Sequence, residues 1–226
     1  TLLEEFTLYI GILFEKLWTS PMIKLEASNM SKKILFVANV DHHITDFHLP
    51  YMKELQKRGW EVHVATTGHG NIPYTNKVFN IPIKRTPLKK ENYKAYQQLK
   101  TIMERHNYSI IHCHTPVGGL LGRLAARKCR KAGSKVIYTA HGFHFYREAP
   151  FLNWLLYYPV EKWLAKYTDT LITINTEDYD LAFIKKFKPG VIELVHGVGV
   201  DTEKFKPMKQ RAKLEAKKSF GFQPND

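Results

Sequence analysis

The 226-residue sequence predicts an α/β domain built on a doubly wound, mostly parallel sheet. Three observations predict it. Short β-prone runs alternate with longer stretches of helical periodicity, the runs are apolar on both faces, and glycines stand where helices should stop. A strand covered on both sides reads as a continuous apolar run, and Ile34-Leu35-Phe36-Val37-Ala38 is such a run.

Taken in order, strands are expected over 34–38, 61–66, 77–83, 109–114, 135–141, 170–174 and 191–195. Helices are expected over 47–58, 92–106, 118–131, 151–166 and 176–186. Arg58-Gly59 and Ala132-Gly133 supply C-terminal glycines for the first and third of these helices. In the fourth, Leu152, Leu155, Leu156, Val160, Trp163, Leu164 and Tyr167 form one stripe, expected to face the core, with Phe151, Trp154 and Tyr158 on a neighbouring stripe. Pro159 is expected to kink or interrupt that helix. Thr176-Glu177-Asp178 places a hydroxyl cap and two carboxylates at the start of the fifth. Strands separated by helices in this way form a Rossmann-like domain, which binds ligands outside the carboxyl ends of its strands.

Residues 30–196 carry this pattern. The preceding segment, 1–29, reads either as translated upstream sequence or an appended remnant, because Met30-Ser31-Lys32-Lys33 resembles a natural start, or as an accessory amphipathic helix. After Val195 a turn-rich connector leads into a charged stretch over 204–218 and then Phe220-Gly221-Phe222, as though another strand were about to begin. Residues 197–226 are therefore expected to be an interdomain linker and the truncated start of a second domain.

A formal charge of +13 favours a polyanionic partner: nucleic acid, an anionic bilayer surface or a phosphorylated substrate. Cys113 and Cys129 form no CxxC pair, which fits a reducing cytoplasm. No run approaches the roughly 18 apolar residues that span a bilayer, and no secretory signal is legible. Lys84, Arg85, Lys89 and Lys90 crowd one stretch, and Arg123, Arg127, Lys128, Arg130 and Lys131 line one helix. These basic groups read as a solvated face or as an attraction for anionic lipid heads. Without a basic-aromatic recognition motif, nucleic acid is not expected.

His141 is the most informative single position. Val136-Ile137-Tyr138-Thr139 leads straight into it and Gly142 follows, so a buried strand delivers a titratable ring to the sheet's carboxyl edge. The segment after the first strand, 39–50, holds His42, His43 and His48 in what reads as a loop, where sugar or phosphate groups meet a helix N-terminus. G-x-G-x-x-G and G-x-S-x-G are both absent, which argues against a dinucleotide enzyme and a nucleophile elbow. His112 and His114 share one strand face and His141 and His144 could join them around a metal, but no carboxylate sits at ligand spacing, so the metal-free reading is favoured. Gly118 and Gly119 open a helix after His114; they serve either close approach of an anion to backbone N–H groups or tight helix–sheet packing.

The strings 112–123 (HCHTPVGGLLGR), 138–146 (YTAHGFHFY), 153–159 (NWLLYYP) with Glu161-Lys162, and 197–201 (GVGVD) resemble bacterial family-4 glycosyltransferases of capsular and exopolysaccharide synthesis. The resemblance covers nearly all of 30–224. It implies a GT-B architecture, of which this chain is the N-terminal, acceptor-side domain, with the nucleotide-sugar donor held by a second domain. It further implies transfer with retention to a polyprenyl-diphosphate-linked saccharide acceptor, no cofactor and no metal, at the inner face of the plasma membrane. His141 matches the family's cleft histidine, expected to orient the transferred sugar. His42, His43, His48, His114, Gly118, Gly119, Gly142 and His144 are expected to face acceptor, and Gly197 and Asp201 match the hinge. The double-glycine first loop of better-known members is missing. The alternative from another class is a non-catalytic module binding anionic lipid or another polyanion; a metal-dependent hydrolase comes third.

Overall fold

The computed structural model describes residues 31–68, 70–195, 197 and 205–223. Among them, strands β1 (Lys33–Val37), β2 (Glu61–Thr66), β3 (Lys77–Asn80), β4 (Ile110–His114), β5 (Lys135–Ala140), β6 (Thr170–Thr173) and β7 (Val191–Leu194) form a seven-stranded sheet. The order is β3-β2-β1-β4-β5-β6-β7, and each pairing is parallel. The chain winds outward from β1 through β2 to β3, then returns to place β4 on the other side of β1. The carboxyl ends of β1 and β4 therefore flank the topological switch point.

The two-residue period of the strands divides the core. Ile34 and Phe36 join Ile110, Ile137 and Ile172 on one face, whereas Leu35 and Val37 join Ile111, Cys113, Val136 and Tyr138 on the other. Helices α1 (Asp41–Phe47) and α2 (Leu49–Lys57) cover the first face through Ile44, Tyr51, Met52 and Leu55. The second is covered by α3 (Lys90–His106), α4 (Pro116–Ala125) and α6 (Phe151–Leu164); between the last two lies the short α5 (Arg127–Lys131). Helices α7 (Thr176–Ile184) and α8 (Gln210–Ser219) complete the order.

The expected sheet and its flanking helices are present, with local differences: the strand expected over 77–83 stops at Asn80 and the helix expected over 118–131 is divided into α4 and α5. Residues 41–47, read as a loop, form α1, and His48 separates it from α2, which carries Pro50 in its first turn. The helix expected from Gly118 begins at Pro116. Asn175, not Thr176, caps α7: its side-chain oxygen accepts from the Asp178 backbone N–H at 2.8 Å. The charged stretch after 204 contains α8, and residues 220–223 form no strand.

Helix α6 is turned the other way from the expected one. Leu152, Leu155, Leu156, Val160 and Trp163, assigned to the core, are exposed, while Trp154, Tyr157 and Tyr158 pack against the core and Leu164 is buried. The reason lies in the ring-to-ring contacts made by the second stripe. Trp154 and Tyr158 meet Phe145 at centroid distances of 5.7 and 5.6 Å, and Trp154 Nε1 donates to the Tyr146 carbonyl. Pro159 sits inside α6 without ending it.

Candidate functional site

The carboxyl edge of the sheet gathers the histidines. His43 stands on α1, His48 at the α1–α2 junction, His114 at the last position of β4, and His141 one residue beyond β5. Strand register explains the meeting: β4 and β5 pair His114 with Thr139, and alternation puts His112, His114, Thr139 and His141 toward the α1–α2 face. His48 and His114 lie 4.0 Å apart between ring centroids, His43 and His141 4.5 Å, and His112 and His114 4.1 Å. The Phe36 ring stacks on His114 at 5.9 Å.

These imidazoles are poorly satisfied. His112 Nε2 pairs with Thr139 Oγ1 at 2.9 Å. By contrast, both ring nitrogens of His48 and of His114, and Nε2 of His43 and of His141, are buried with no hydrogen-bond partner among the described residues. A buried polar atom left unpaired costs roughly 1–3 kcal/mol, so such a concentration marks a place where a ligand belongs. Burial, reinforced by neighbouring imidazoles, lowers His43 and His141 to about 4 and His112 to about 3, and holds His48 and His114 well below the ordinary histidine range. All five rings are therefore neutral at pH 7.

Beside this cluster opens a pocket of about 670 Å³. Its floor is the β1 and β4 ends, at Asn39, Thr115 and Val117; Phe47 and His43 form one wall and Leu156, Tyr157 and Val160 of α6 the other. Arg85 and Leu88, from the loop after β3, stand at its rim, and Leu88 is 96% exposed. His42 and His144 line the pocket, and the His144 ring packs on Tyr157 at 4.8 Å. His141 is not among the lining residues; the His43 ring, which is, lies 4.5 Å from it between centroids.

Gly118 and Gly119 are buried and turned toward the sheet. A Cβ on Gly118 would lie 2.7 Å from Thr115 Oγ1, and one on Gly119 would collide with the Tyr138 ring. The Gly119 N–H is spent on the Thr115 carbonyl at 2.7 Å, so Pro116 and Val117 rather than the glycines meet the pocket. Thr115 itself holds φ +61, a conformation rare for a β-branched residue, and its hydroxyl accepts from the Asn39 N–H across the switch point. Gly142, two residues beyond β5, has φ +139 with open space around it, a backbone conformation that favours glycine. The following loop is fastened where Asp178 accepts from the Phe143 N–H at 3.0 Å.

The basic helix is less available than its sequence suggests. Arg123 is buried, not on the surface: it pairs with Glu161 at 2.8 Å, donates to the Gly119 carbonyl and lies 3.8 Å from the Tyr138 ring centroid. Arg130 forks onto both oxygens of Asp169, with each hydrogen bond at 3.0 Å. The residues 84–90 stay exposed. Sequence reasoning saw their charge but missed that residues 85–88 help to line the pocket. Their position directly after a strand was the available signal. Gly197 has φ +74, as a turn glycine should, while Asp201 lies outside the described residues.

A family model described as Glycosyl transferase 4-like matches residues 33–175. The chain belongs to that family. Among curated relatives, EpsD of Bacillus subtilis (strain 168), named as a glycosyltransferase, is 52% identical over 197 residues, covering 87% of this chain and 52% of the relative. An Escherichia coli relative, UDP-Gal:alpha-D-GlcNAc-diphosphoundecaprenol alpha-1,3-galactosyltransferase, is 32% identical over 128 residues, 56% of this chain and 32% of the relative. This glycosyl transferase 4-like chain thus spans about half the length of the first relative and a third of the second.

Solved structures agree on the fold. UDP-GlcNAc 2-epimerase from Neisseria meningitidis, bound to UDP-GlcNAc, aligns with a TM-score of 0.60 at 15% identity over 86% of this chain and 55% of that one. Anabaena Alr3699/HepE in complex with UDP and glucose aligns at 0.58 and 14% identity, over 84% and 50%. The sheet is therefore a Rossmann-like N-terminal domain of GT-B type. Among the described residues, no helix is long and apolar enough to cross a membrane.

Proposed function

We propose that the chain is the acceptor-side domain of a glycosyltransferase of capsule or exopolysaccharide synthesis. The complete protein transfers a sugar, with retention, from a nucleotide-sugar to a polyprenyl-diphosphate-linked saccharide at the inner face of the plasma membrane. The observation that carries this reading is the 670 Å³ pocket at the switch point, apolar along Phe47, Val117, Leu156 and Val160 yet bordered by Arg85 and three histidines. An isoprenoid-linked phosphate asks for that pairing of apolar wall and cation. The name of the Escherichia coli relative, which includes diphosphoundecaprenol, supports the same class of acceptor.

Within this reading Arg85 meets the diphosphate, His42 and His144 line the saccharide path, and His141 orients the transferred sugar next to His43. Gly197 and Asp201 belong to the hinge toward the donor-binding domain. The exposed apolar stripe of α6, continuous with the pocket through Leu156 and Val160, faces the bilayer.

The test is transfer from radiolabelled nucleotide-sugars to a synthetic polyprenyl-diphosphate saccharide by the complete gene product, with and without Arg85→Ala and His141→Ala. Both substitutions are expected to reduce transfer at least tenfold, Arg85→Ala chiefly through the acceptor KM. Salt-sensitive binding to anionic vesicles without any sugar transfer would replace this reading with a non-catalytic lipid-binding module.

A further inference from the structure

Four imidazoles at the carboxyl edge present ligand nitrogens that all lie within 4.8 Å of one another: His43, His48, His114 and His141. They come from three separate places in the fold, α1 with its junction to α2, the end of β4, and the residue after β5. Their six ring-centroid separations run from 4.0 to 6.0 Å. Each ring keeps at least one buried nitrogen without a hydrogen-bond partner, and none of the four satisfies another.

Each imidazole can turn one nitrogen lone pair toward the common centre. A single cation accepts four lone pairs at once. We propose that His43, His48, His114 and His141 bind one divalent transition-metal ion of the zinc class. The donor set is all nitrogen and contains no carboxylate, which favours zinc and its neighbours over calcium or magnesium. Zn–N bonds of about 2.0–2.1 Å in a tetrahedron bring nitrogens to roughly 3.3 Å of one another, so the rings close on the ion by small rotations.

Four protein ligands leave no open coordination position, and a closed site is a structural one. The ion clamps the α1–α2 corner to the ends of β4 and β5, across the switch point. His141 coordinates through Nε2, the nitrogen that is buried and unpartnered. The site shares His43 and His141 with the transfer reading, whereas Arg85 serves transfer alone: Arg85→Ala is expected to lose transfer and keep zinc, and zinc affinity in the histidine variants is read without any transfer assay.

The experiment begins with the 226-residue chain stripped of metal by a chelator. Zinc is then titrated in competition with a chromophoric chelator, and cobalt is titrated separately while its visible d–d bands are recorded. One equivalent of zinc per chain, an intense tetrahedral cobalt spectrum and a higher Tm with zinc are expected. The half-exposed ligands His43→Gln and His141→Gln, singly and together, avoid disturbing the buried pair and keep folding open to check by circular dichroism. Each is expected to weaken zinc at least about 100-fold, since losing a direct ligand exceeds the loss of an outer-shell partner. His106→Gln, outside the cluster, is expected to leave affinity unchanged. Substoichiometric zinc, an octahedral cobalt spectrum, or equal affinity in folded His43→Gln/His141→Gln protein overturns the proposal.

Discussion

His63 on β2 and His48 at the α1–α2 junction are both buried, with exposures of 1% and 4%, yet they live in opposite chemical circumstances. His63 uses both ring nitrogens: Nδ1 pairs with the Tyr108 hydroxyl at 2.7 Å and Nε2 with Glu61 at 2.7 Å. His48 uses neither. The same division runs through the buried cations and rings near them. Arg123 has a carboxylate, a carbonyl and an aromatic face, whereas His114 has only the stacked Phe36 and other imidazoles. A buried polar group whose needs are met within the chain is part of the fold; one whose needs are unmet is held in place for something else.

The largest way to break this comparison is through the satisfied set. Arg123→Met removes the partner of Glu161 and leaves its carboxylate beside the Tyr138 ring, inside the α4–α6 contact. It is expected to cost about 3–5 kcal/mol in denaturant unfolding, because breaking one half of a buried pair strands the other. A loss under about 1 kcal/mol would place Arg123 among the solvated charges that its sequence setting suggests.

A paired substitution comes next. In metal-stripped protein, His63→Leu strands the buried Tyr108 hydroxyl, while Glu61 keeps Lys33 at 2.9 Å, and is expected to cost roughly 1–3 kcal/mol. His48→Leu removes two unpartnered nitrogens, strands nothing, and is expected to cost less or to stabilise. Equal losses would show that the His48 ring has partners in solution equivalent to those of His63.

Acid should expose the unmet group more gradually. His43 and His141 titrate near 4 and His112 near 3 in the folded chain, against about 6.5 when unfolded. Between those values the unfolded chain holds more protons, so stability rises with pH and falls on acidification from about pH 6.5 downward. Urea midpoints of metal-stripped protein at pH 7, 6 and 5 are expected to decline in that order. The decline should be shallower in His43→Gln/His141→Gln, which no longer takes up those two protons on unfolding.

Much of the fold was legible because a buried parallel strand needs apolar residues on both faces, and β1, β2 and β4–β6 supply them. The strand ends shifted by at most one residue except at β3, where pairing stops at Asn80 and Ile81 and Ile83 are instead buried beyond it. Helix α1 was illegible for the opposite reason. Its seven residues, DHHITDF, bury only Ile44, so no apolar stripe announces a helix. Several site histidines were found by their positions at strand ends, but their mutual contact depends on register between strands about 25 residues apart, which local pattern does not carry. Gly118 and Gly119 remained open between two uses, and only the Tyr138 ring and the Thr115 hydroxyl show how tightly that space is filled.

The orientation of α6 carries the comparison from polar groups to apolar ones. Nearly every position from Phe151 to Tyr158 is apolar, so periodicity finds a stripe on either side and cannot say which one is inside. Packing decides it: the Phe145–Trp154–Tyr158 ring cluster takes the core and leaves Leu152 and Leu155 about 60% exposed. These leucines are the apolar counterpart of His48, side chains whose own chain does not use them. Leu155→Glu is therefore expected to change unfolding free energy by no more than about 0.5 kcal/mol, the smallest effect of the set. The same substitution is expected to lower binding to anionic vesicles several-fold in a sedimentation assay, because it removes apolar area and adds a negative charge on the face proposed to meet the bilayer. If Leu155→Glu instead unfolds the chain, the stripe belongs to the core after all; if it is stable and binds vesicles as before, the helix faces something other than lipid.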